Sequence, residues 1–255
     1  GDLEQERGVI LEELAMDADD PTDVAHERFT ELVLGAHELG RPIGGLPEDI
    51  NNTQAEAVRE HYRRHYTPGG LVVSVAGAVD HDEVCAAVME ALHDGGWELE
   101  VGASPVPRRR MEPAEIVSVT GEHVIRRDVE QANVLLGCAG ITASDDRRYA
   151  LAVLNTVLGG GMSSRLFQRV REQRGLAYST YSFTGSYTDA GYFGLYAGCS
   201  PAKAREVLDL LGSEFDLIAA EGVTEHEFKV ALGQLAGGRV LSGEDHGARM
   251  SRLGA

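Results

Sequence analysis

The chain is divided by residues 95–113, a stretch that is rich in Gly, Pro and Arg and has no apolar periodicity. Gly and Pro interrupt both helices and strands, so this stretch predicts a linker. On each side of it, segments with helical periodicity alternate with strand-like segments. The 255 residues, 43% of them hydrophobic, are enough for more than one core. We therefore predict two domains, residues 1–104 and 114–255, joined by a linker at 105–113.

Both predicted domains show an α/β rhythm. An acidic stretch that ends in Pro, at residues 17–21, predicts the end of one helix and the start of the next within residues 3–34. Further helices are predicted at 53–66, 81–92, 145–158, 163–173, 201–220 and from 224 onward. Strands are predicted at 71–77, 115–119 and 132–138, and a hairpin at 177–183 and 191–197.

Composition argues against several classes of partner. A formal net charge of −18 disfavours nucleic acid, because phosphate binding needs clustered Lys and Arg. The one basic cluster, residues 108–110, falls in the predicted linker. Three widely spaced cysteines without CxxC spacing predict a reducing, cytoplasmic location. No apolar run approaches the roughly 20 residues that span a bilayer, so we predict no membrane partner.

Two glutamates near the start, Glu6 and Glu13, are seven residues apart. On a helix this spacing places both carboxylates on nearly the same face, about 10 Å apart along the axis. Two acids on one face are common on solvated helices. The apolar run 9–11 predicts instead that part of the helix is buried, where a carboxylate needs a cation or hydrogen-bond donors. Glu6 and Glu13 are thus either surface acids or part of a metal site.

A weak internal repeat relates this helix to a later one. A shift of 225 residues lays Glu6 on Ala231 and Glu13 on Gly238, and it also superposes the acidic pairs 19–20 and 244–245. The second copy therefore lacks both carboxylates. If the two halves are repeats, both are incomplete here, and we expect a parent protein of about 430 residues.

Several stretches resemble the pitrilysin/insulinase family, and within it the bacterial relatives of mitochondrial processing peptidase. They run in order along nearly the whole chain: residues 6–14 (ERGVILEEL), 40–45 (GRPIGG), 66–68 (YTP), 77–81 (GAVDH), 130–132 (EQA), 158–167 (LGGGMSSRLF) and 174–179 (RGLAYS). The resemblance implies an α+β fold of two homologous α/β domains, each a mostly antiparallel sheet packed with helices. Here each domain would be incomplete.

The resemblance also implies a zinc-dependent endopeptidase with an inverted H-x-x-E-H motif and a distal glutamate as third ligand. The distal glutamate falls on Glu13, and its neighbour Glu6 is implied to orient a ligand beside the metal. Glu12 lies about 120° off that face. No H-x-x-E-H occurs among the nine histidines. The nearest pattern, residues 61–65 (HYRRH), has two arginines where the glutamate belongs and predicts a solvated helix face.

Two further sites follow from the resemblance. Arg174 and Tyr178 match a pair that would reach the peptide substrate from the noncatalytic half and donate hydrogen bonds to it. The alternative is that Tyr178 packs in the hairpin and Arg174 caps the preceding helix. Gly159, Gly160 and Gly161 resemble a peptide-handling glycine loop of processing peptidases. They lack the Gly-Lys-Ser/Thr of a phosphate loop, and a plain turn between helices explains them equally well.

Three functions remain open. In the first, the parent protein is an active zinc endopeptidase that cleaves peptides or small unfolded polypeptides in a chamber between its domains. In the second it is a noncatalytic partner subunit, and in the third it is a peptide-binding scaffold. The two retained carboxylates, Glu6 and Glu13, favour the first. This chain by itself is expected to be inactive and not to hold zinc, since Glu13 alone is one ligand of three. The resemblance implies a homodimer or pairing with a related subunit.

Overall fold

A computed structural model of the protein describes residues 2–98 and 112–254, so most of the predicted linker at 105–113 lies outside the described residues. The helices are α1 (Asp2–Asp19), α2 (Pro21–Leu34), α3 (Pro47–Asn52), α4 (Ala55–His65), α5 (His81–Asp94), α6 (Arg148–Gly159), α7 (Ala204–Glu221), α8 (Glu225–Leu241) and α9 (His246–Gly254). The strands are β1 (Ala132–Ala139), β2 (Ala177–Ser186) and β3 (Gly191–Cys199). A π-helical turn occupies Phe167–Glu172, and short 3-10 turns occupy Glu38–Gly40, Pro68–Gly70 and Pro201–Lys203.

The chain divides into two compact units. The first unit comprises Gly1–Asn51 and Arg110–Leu235, and the second comprises Asn52–Arg109 and Ala236–Ala255. This division follows packing and takes residues from both predicted domains into each unit. The predicted domains at 1–104 and 114–255 describe repeats in the sequence instead, and they stay a prediction.

The first unit is built around a three-stranded antiparallel sheet with the order β1-β3-β2. Successive side chains of each strand point to opposite faces of the sheet, and one of these faces packs against α6, α7 and the π-helical turn. The largest side chains that are fully buried on this side are aliphatic and include Leu158, Leu166, Val170, Leu195 and Leu211. A mixed helical and antiparallel fold of this kind is α+β, and the predicted fold class is confirmed. The predicted hairpin is confirmed as β2 and β3.

The opposite face of the sheet is covered by α2. Phe29 of α2 packs edge-on against Phe183 and Tyr192, with ring centroids 5.3 and 6.0 Å away. His26 Nε2 lies 3.1 Å from the hydroxyl of Tyr181, and its ring lies 5.1 Å from that of Tyr196. The aromatic contacts bury this face of the sheet. The polar contact gives a hydrogen-bond partner to a ring nitrogen and a hydroxyl that lose their hydrogen bonds to water on burial.

Helix starts follow from capping. Asp20 precedes α2 and accepts hydrogen bonds from the amides of Thr22 and Asp23, and Pro21 occupies the first helical position. In the second unit, Asp80 caps α5 in the same way. The predicted break at residues 17–21 is confirmed, because the capped start of α2 directly follows the end of α1.

Two predicted strands are wrong. Residues 71–77 form neither helix nor strand, since among the described residues they pair with no strand, and Val72 is 71% exposed. Residues 115–119 form no strand either; they bond to the end of α2, where Val119 N donates to Leu32 O at 2.7 Å and Ser118 Oγ donates to Val33 O at 2.6 Å. An apolar extended segment becomes a strand only where another strand satisfies its backbone groups. Here helix-end carbonyls take that place for 115–119.

The second unit contains α4, α5 and α9, and none of the three has a buried residue. Residues 71–77 contact α9 through Ser74, whose hydroxyl donates to the carbonyl of Met250. Among residues 2–98 and 112–254, no helix has both the length and the apolar character needed to cross a bilayer.

Candidate functional site

Glu6 and Glu13 lie on one continuous helix, α1 (Asp2–Asp19), so the predicted spacing on a common face holds. Both side chains are exposed. The expected burial of this helix is wrong, because α1 has no buried residue and Val9 is 43% exposed. Its apolar residues Ile10, Leu11 and Leu14 are only half-buried. Burial therefore does not demand a cation beside either carboxylate, and their role as zinc ligand and orienting acid stays a prediction.

The described part of the chain contains no group of three or more His, Cys, Asp and Glu side chains that could hold a metal ion. The two histidines of the near-motif, His61 and His65, lie side by side on α4, with ring centroids 4.5 Å apart and ring planes tilted by 37°. Arg63 and Arg64 beside them pair with glutamates on the same exposed helix. The described residues thus do not fit a zinc ion on their own, and Glu13 could supply one ligand to a site that needs others.

The glycines 159–161 end α6 and pack closely against neighbouring elements. A Cβ on Gly159 would lie 1.9 Å from the amide nitrogen of Ser182 on β2, so the helix reaches the sheet only with glycine there. The side-chain amide of Gln234 donates to the carbonyl of Gly160 at 2.7 Å. Packing alone accounts for this turn, and its part in handling peptide stays a prediction.

Tyr178 lies at an irregular start of β2. The pairing of β2 with β3 shifts by one residue between Ala177 and Ser179, which leaves Tyr178 in a β-bulge. Its side chain is 78% exposed. Tyr178 therefore does not pack within the hairpin, and the alternative interpretation of its role is wrong. An exposed phenol at the edge of a sheet is available to donate a hydrogen bond to a ligand.

Arg171, rather than Arg174, contacts Tyr178. The guanidinium of Arg171 lies 4.7 Å from the ring centre of Tyr178 and 4.9 Å from that of Phe167, so it is held between two rings. The chain passes from the π-helical turn to β2 through Gly175, whose φ of 58° is the left-handed conformation that glycine adopts freely. Sequence reasoning missed Arg171, because its spacing to Tyr178 crosses a helix end and a strand start and has no periodic meaning.

Arg174 is exposed and does not cap the preceding helix in the described structure. The last carbonyls of that helix accept backbone amides instead, from Gly175 to Arg171 O and from Leu176 to Val170 O, both at 2.9 Å. Arg174 borders an open cavity of about 540 Å³ between the π-helical segment and α7. Its predicted contact with substrate is untested.

Two ion pairs hold the segment that carries these residues. Arg165 Nε and Nη2 donate to the two carboxylate oxygens of Glu227 on α8 at 2.6 and 2.8 Å. The hydrogen bond from Arg165 holds the pKa of Glu227 at about 2, well below its ordinary value of 4.5. One turn later, Arg169 donates to Glu214 of α7, whose carboxylate is buried. Neither pair was predicted from the sequence.

Comparison with known proteins places these elements in a family. The profile described as Peptidase M16 inactive domain matches residues 52–235. The chain is 46% identical over 257 residues to an uncharacterized zinc protease of Streptomyces coelicolor, a match that covers 99% of this chain and 55% of that protein. It is 41% identical over 253 residues to an uncharacterized zinc protease of Mycobacterium tuberculosis, with 99% and 57% covered. The chain thus spans little more than half the length of these curated relatives.

Solved structures agree in fold. A peptidase M16 inactive domain from Pseudomonas fluorescens superposes with a TM-score of 0.77 at 20% identity, covering 99% of this chain and 58% of that one. A chain of complex III from Candida albicans superposes with a TM-score of 0.74 at 16% identity, covering 98% and 60%. The resemblance found in the sequence is confirmed: this chain belongs to the peptidase M16 family, and residues 52–235 match its inactive domain.

Proposed function

We propose that the full-length protein is a zinc-dependent endopeptidase that cleaves peptides or small unfolded polypeptides in a chamber between two related domains. The observation that carries this proposal is the arrangement of Glu6 and Glu13, two exposed carboxylates on one face of α1. The names of the relatives, zinc proteases at 46% and 41% identity, support it. The inverted H-x-x-E-H motif belongs to the proposal and not to this chain.

In this proposal, Glu13 is one zinc ligand and Glu6 orients a neighbouring ligand. Because the described residues do not complete a metal site, no chemical step is assigned to zinc here. The residues of this chain have a separate task in binding. Tyr178 and the guanidinium groups of Arg171 and Arg174 would donate hydrogen bonds to peptide carbonyl groups, and the glycines 159–161 would let an extended peptide approach the backbone.

A second function has two observations in its favour. Residues 52–235 match a domain described as inactive, and the fold also occurs in a chain of complex III. A noncatalytic partner subunit or a peptide-binding scaffold would have the same fold and the same Tyr178 environment. Pairing with a second copy or a related subunit is part of either proposal, and the cytoplasmic location stays a prediction.

Zinc content and peptide cleavage of the full-length protein test the two functions. An active peptidase should hold about one zinc per chain and lose metal and activity together in Glu13→Gln, because the remaining ligands bind zinc weakly. Glu12→Gln is the matched control, since this neighbouring exposed acid lies on another face of α1. Full zinc occupancy in Glu13→Gln would reject the ligand assignment, and a protein without zinc or cleavage would favour the noncatalytic function.

A further inference from the structure

The contact between Arg171 and Tyr178 depends on the register of the π-helical turn Phe167–Glu172. A π-helical turn is wider than an α-helical turn and accommodates one extra residue. Each residue of a regular helix turns the chain by about 100°, so a shift by one residue would rotate Arg171 away from Tyr178. The register of this uncommon turn therefore depends on contacts between the turn and neighbouring elements.

Glu214 is placed to do so. It is 1% exposed and is the one buried acidic side chain among the described residues. It lies on α7 between Leu211 and Ile218, which belong to the hydrophobic core, so its position is fixed by packing. One of its oxygens accepts a hydrogen bond from Arg169, in the middle of the π-helical turn. The ion pair thus joins α7 to the π-helical turn at Arg169, two residues before Arg171.

Among residues 2–98 and 112–254, Arg169 forms no second ion pair. The side chain of Arg169 is 41% exposed, and a long, half-exposed arginine is mobile unless it is bound. Arg165 is held in a comparable way by Glu227, at the other end of the segment. The turn is therefore fixed before it begins and again at its middle, while Arg171 contacts the two rings beside it and its Nε lies 3.9 Å from a carboxylate oxygen of the neighbouring Glu172.

We propose that the Glu214–Arg169 pair is a positioning device that sets the register of the π-helical turn and so directs Arg171 at Tyr178. The proposal rests on the proposed function in giving Arg171 and Tyr178 a role in peptide binding. The competing explanation is that the pair only neutralises a buried carboxylate, in which case its removal changes stability and leaves the environment of Tyr178 unchanged.

Fluorine NMR of this chain labelled with 3-fluorotyrosine separates the two explanations. The chain has eight tyrosines, and Tyr178→Phe identifies the signal of Tyr178 by its loss. Arg171→Ala defines the shift that results when the guanidinium leaves the ring. Glu214→Gln, which removes the charge and keeps the shape, should move the Tyr178 signal in the same direction. The signals of Tyr181 and Tyr196, within the sheet, should stay in place.

The control and the coupling test make the result specific. Asp216→Asn removes an exposed acid from the same helix and should leave the Tyr178 signal unchanged. In an Arg171→Ala background, Glu214→Gln should cause no further shift of that signal, because the two residues act through one contact. An unchanged Tyr178 signal in folded Glu214→Gln, or an equal shift in the Arg171→Ala background, would overturn the proposal.

Arg169 provides a second route if Glu214→Gln does not fold. Arg169→Gln should reproduce the shift of the Tyr178 signal. Arg169→Lys, which keeps the charge, should return that signal at least in part to its wild-type position. Loss of the fold in both Glu214→Gln and Arg169→Gln would mean that the pair is purely structural, which overturns the proposal.

Peptide kinetics of the full-length protein give the functional readout. Glu214→Gln should reduce kcat/KM by about tenfold, chiefly through KM, since a misplaced binding group weakens substrate binding. Arg171→Ala should act through the same parameter. If the full-length protein cleaves no peptide, the proposed function fails, while the NMR result still decides whether Glu214 positions Arg171.

Discussion

Arg165 and Glu227 form a bidentate ion pair in the first unit. The guanidinium donates to both carboxylate oxygens, at 2.6 and 2.8 Å, and a further hydrogen bond joins it to the carbonyl of Gly222 at 3.0 Å. Only 10% of the Arg165 side chain and 26% of the Glu227 side chain are exposed. Two parallel hydrogen bonds between partly buried charges are among the strongest polar contacts in proteins. The pair ties the π-helical segment to α8.

Removal of this pair should change the acid stability of the protein. The pKa of Glu227 is about 2 in the folded state and 4.5 ordinarily, so its contribution to stability is present above pH 4.5 and is lost as the pH falls toward 2. Glu227→Gln should lower the free energy of unfolding by up to about 3 kcal/mol at neutral pH. Urea denaturation at several pH values should show that the difference from the wild type shrinks below about pH 4.5.

Glu225→Gln is the matched control for that experiment. Glu225 is an exposed acid on the same helix and pairs with Lys229 at the surface, where such pairs contribute little. Its loss should change stability by less than about 1 kcal/mol. A constant difference between wild type and Glu227→Gln from neutral to acid pH would contradict the assigned pKa.

The close packing of α6 on β2 gives a second prediction. A Cβ at Gly159 would collide with the backbone of Ser182, which a rotamer change cannot relieve. Gly159→Ala should therefore destabilise the chain by about 2 kcal/mol or more. Gly212→Ala on α7 is the control: a Cβ there meets no atom within 4 Å, and Ala should stabilise the helix by about 0.5–1 kcal/mol. Thermal unfolding of the two variants measures the change in stability, and equal changes would show that α6 does not need glycine where it contacts β2.

The choice between two arginines can be tested in the full-length protein, given the proposed function. Arg171 contacts Tyr178, whereas Arg174 points to an open cavity. We expect Arg171→Ala to reduce kcat/KM for a peptide by about tenfold or more, and Arg174→Ala to have a smaller effect. Tyr178→Phe keeps the ring and removes the hydroxyl, so it separates hydrogen bonding from stacking. A larger loss in Arg174→Ala would favour the pair predicted from the sequence.

Glu6 and Glu13 should differ in what they do for zinc. If Glu13 binds the metal and Glu6 orients a neighbouring ligand, Glu6→Gln should impair peptide cleavage while most of the zinc remains, and Glu13→Gln should lose both. Zinc analysis of the purified full-length variants measures the difference. Equal loss of zinc from the two variants would mean that both carboxylates bind metal directly.

Much of the architecture could be predicted because it depends on local chemistry. Asp20 with Pro21, and Asp80 before α5, mark helix starts by side chains that satisfy the first amides. The hairpin of β2 and β3 joins neighbours in sequence, so alternation and an intervening turn were sufficient to predict it. The family could also be recognised, since short motifs in order along the chain do not depend on the structure being known.

Pairing and contact between distant residues could not be predicted. Residues 71–77 have the composition of a strand, yet strand formation needs a partner, and composition does not supply one. The burial expected for α1 failed for a similar reason, because an apolar run says what a helix can bury and not what lies beside it.

The sequence alone determined the break between α1 and α2, the hairpin, the common face of Glu6 and Glu13, and membership of the family. Only the tertiary structure decided that Arg171 and not Arg174 meets Tyr178, that Gly159 is needed where α6 touches β2, and that Glu214 is a buried acid bound to Arg169. The physical reason is the range of the interactions. Caps and alternation act over a few residues, whereas these contacts join side chains and backbone of different elements, which meet only once the chain is folded.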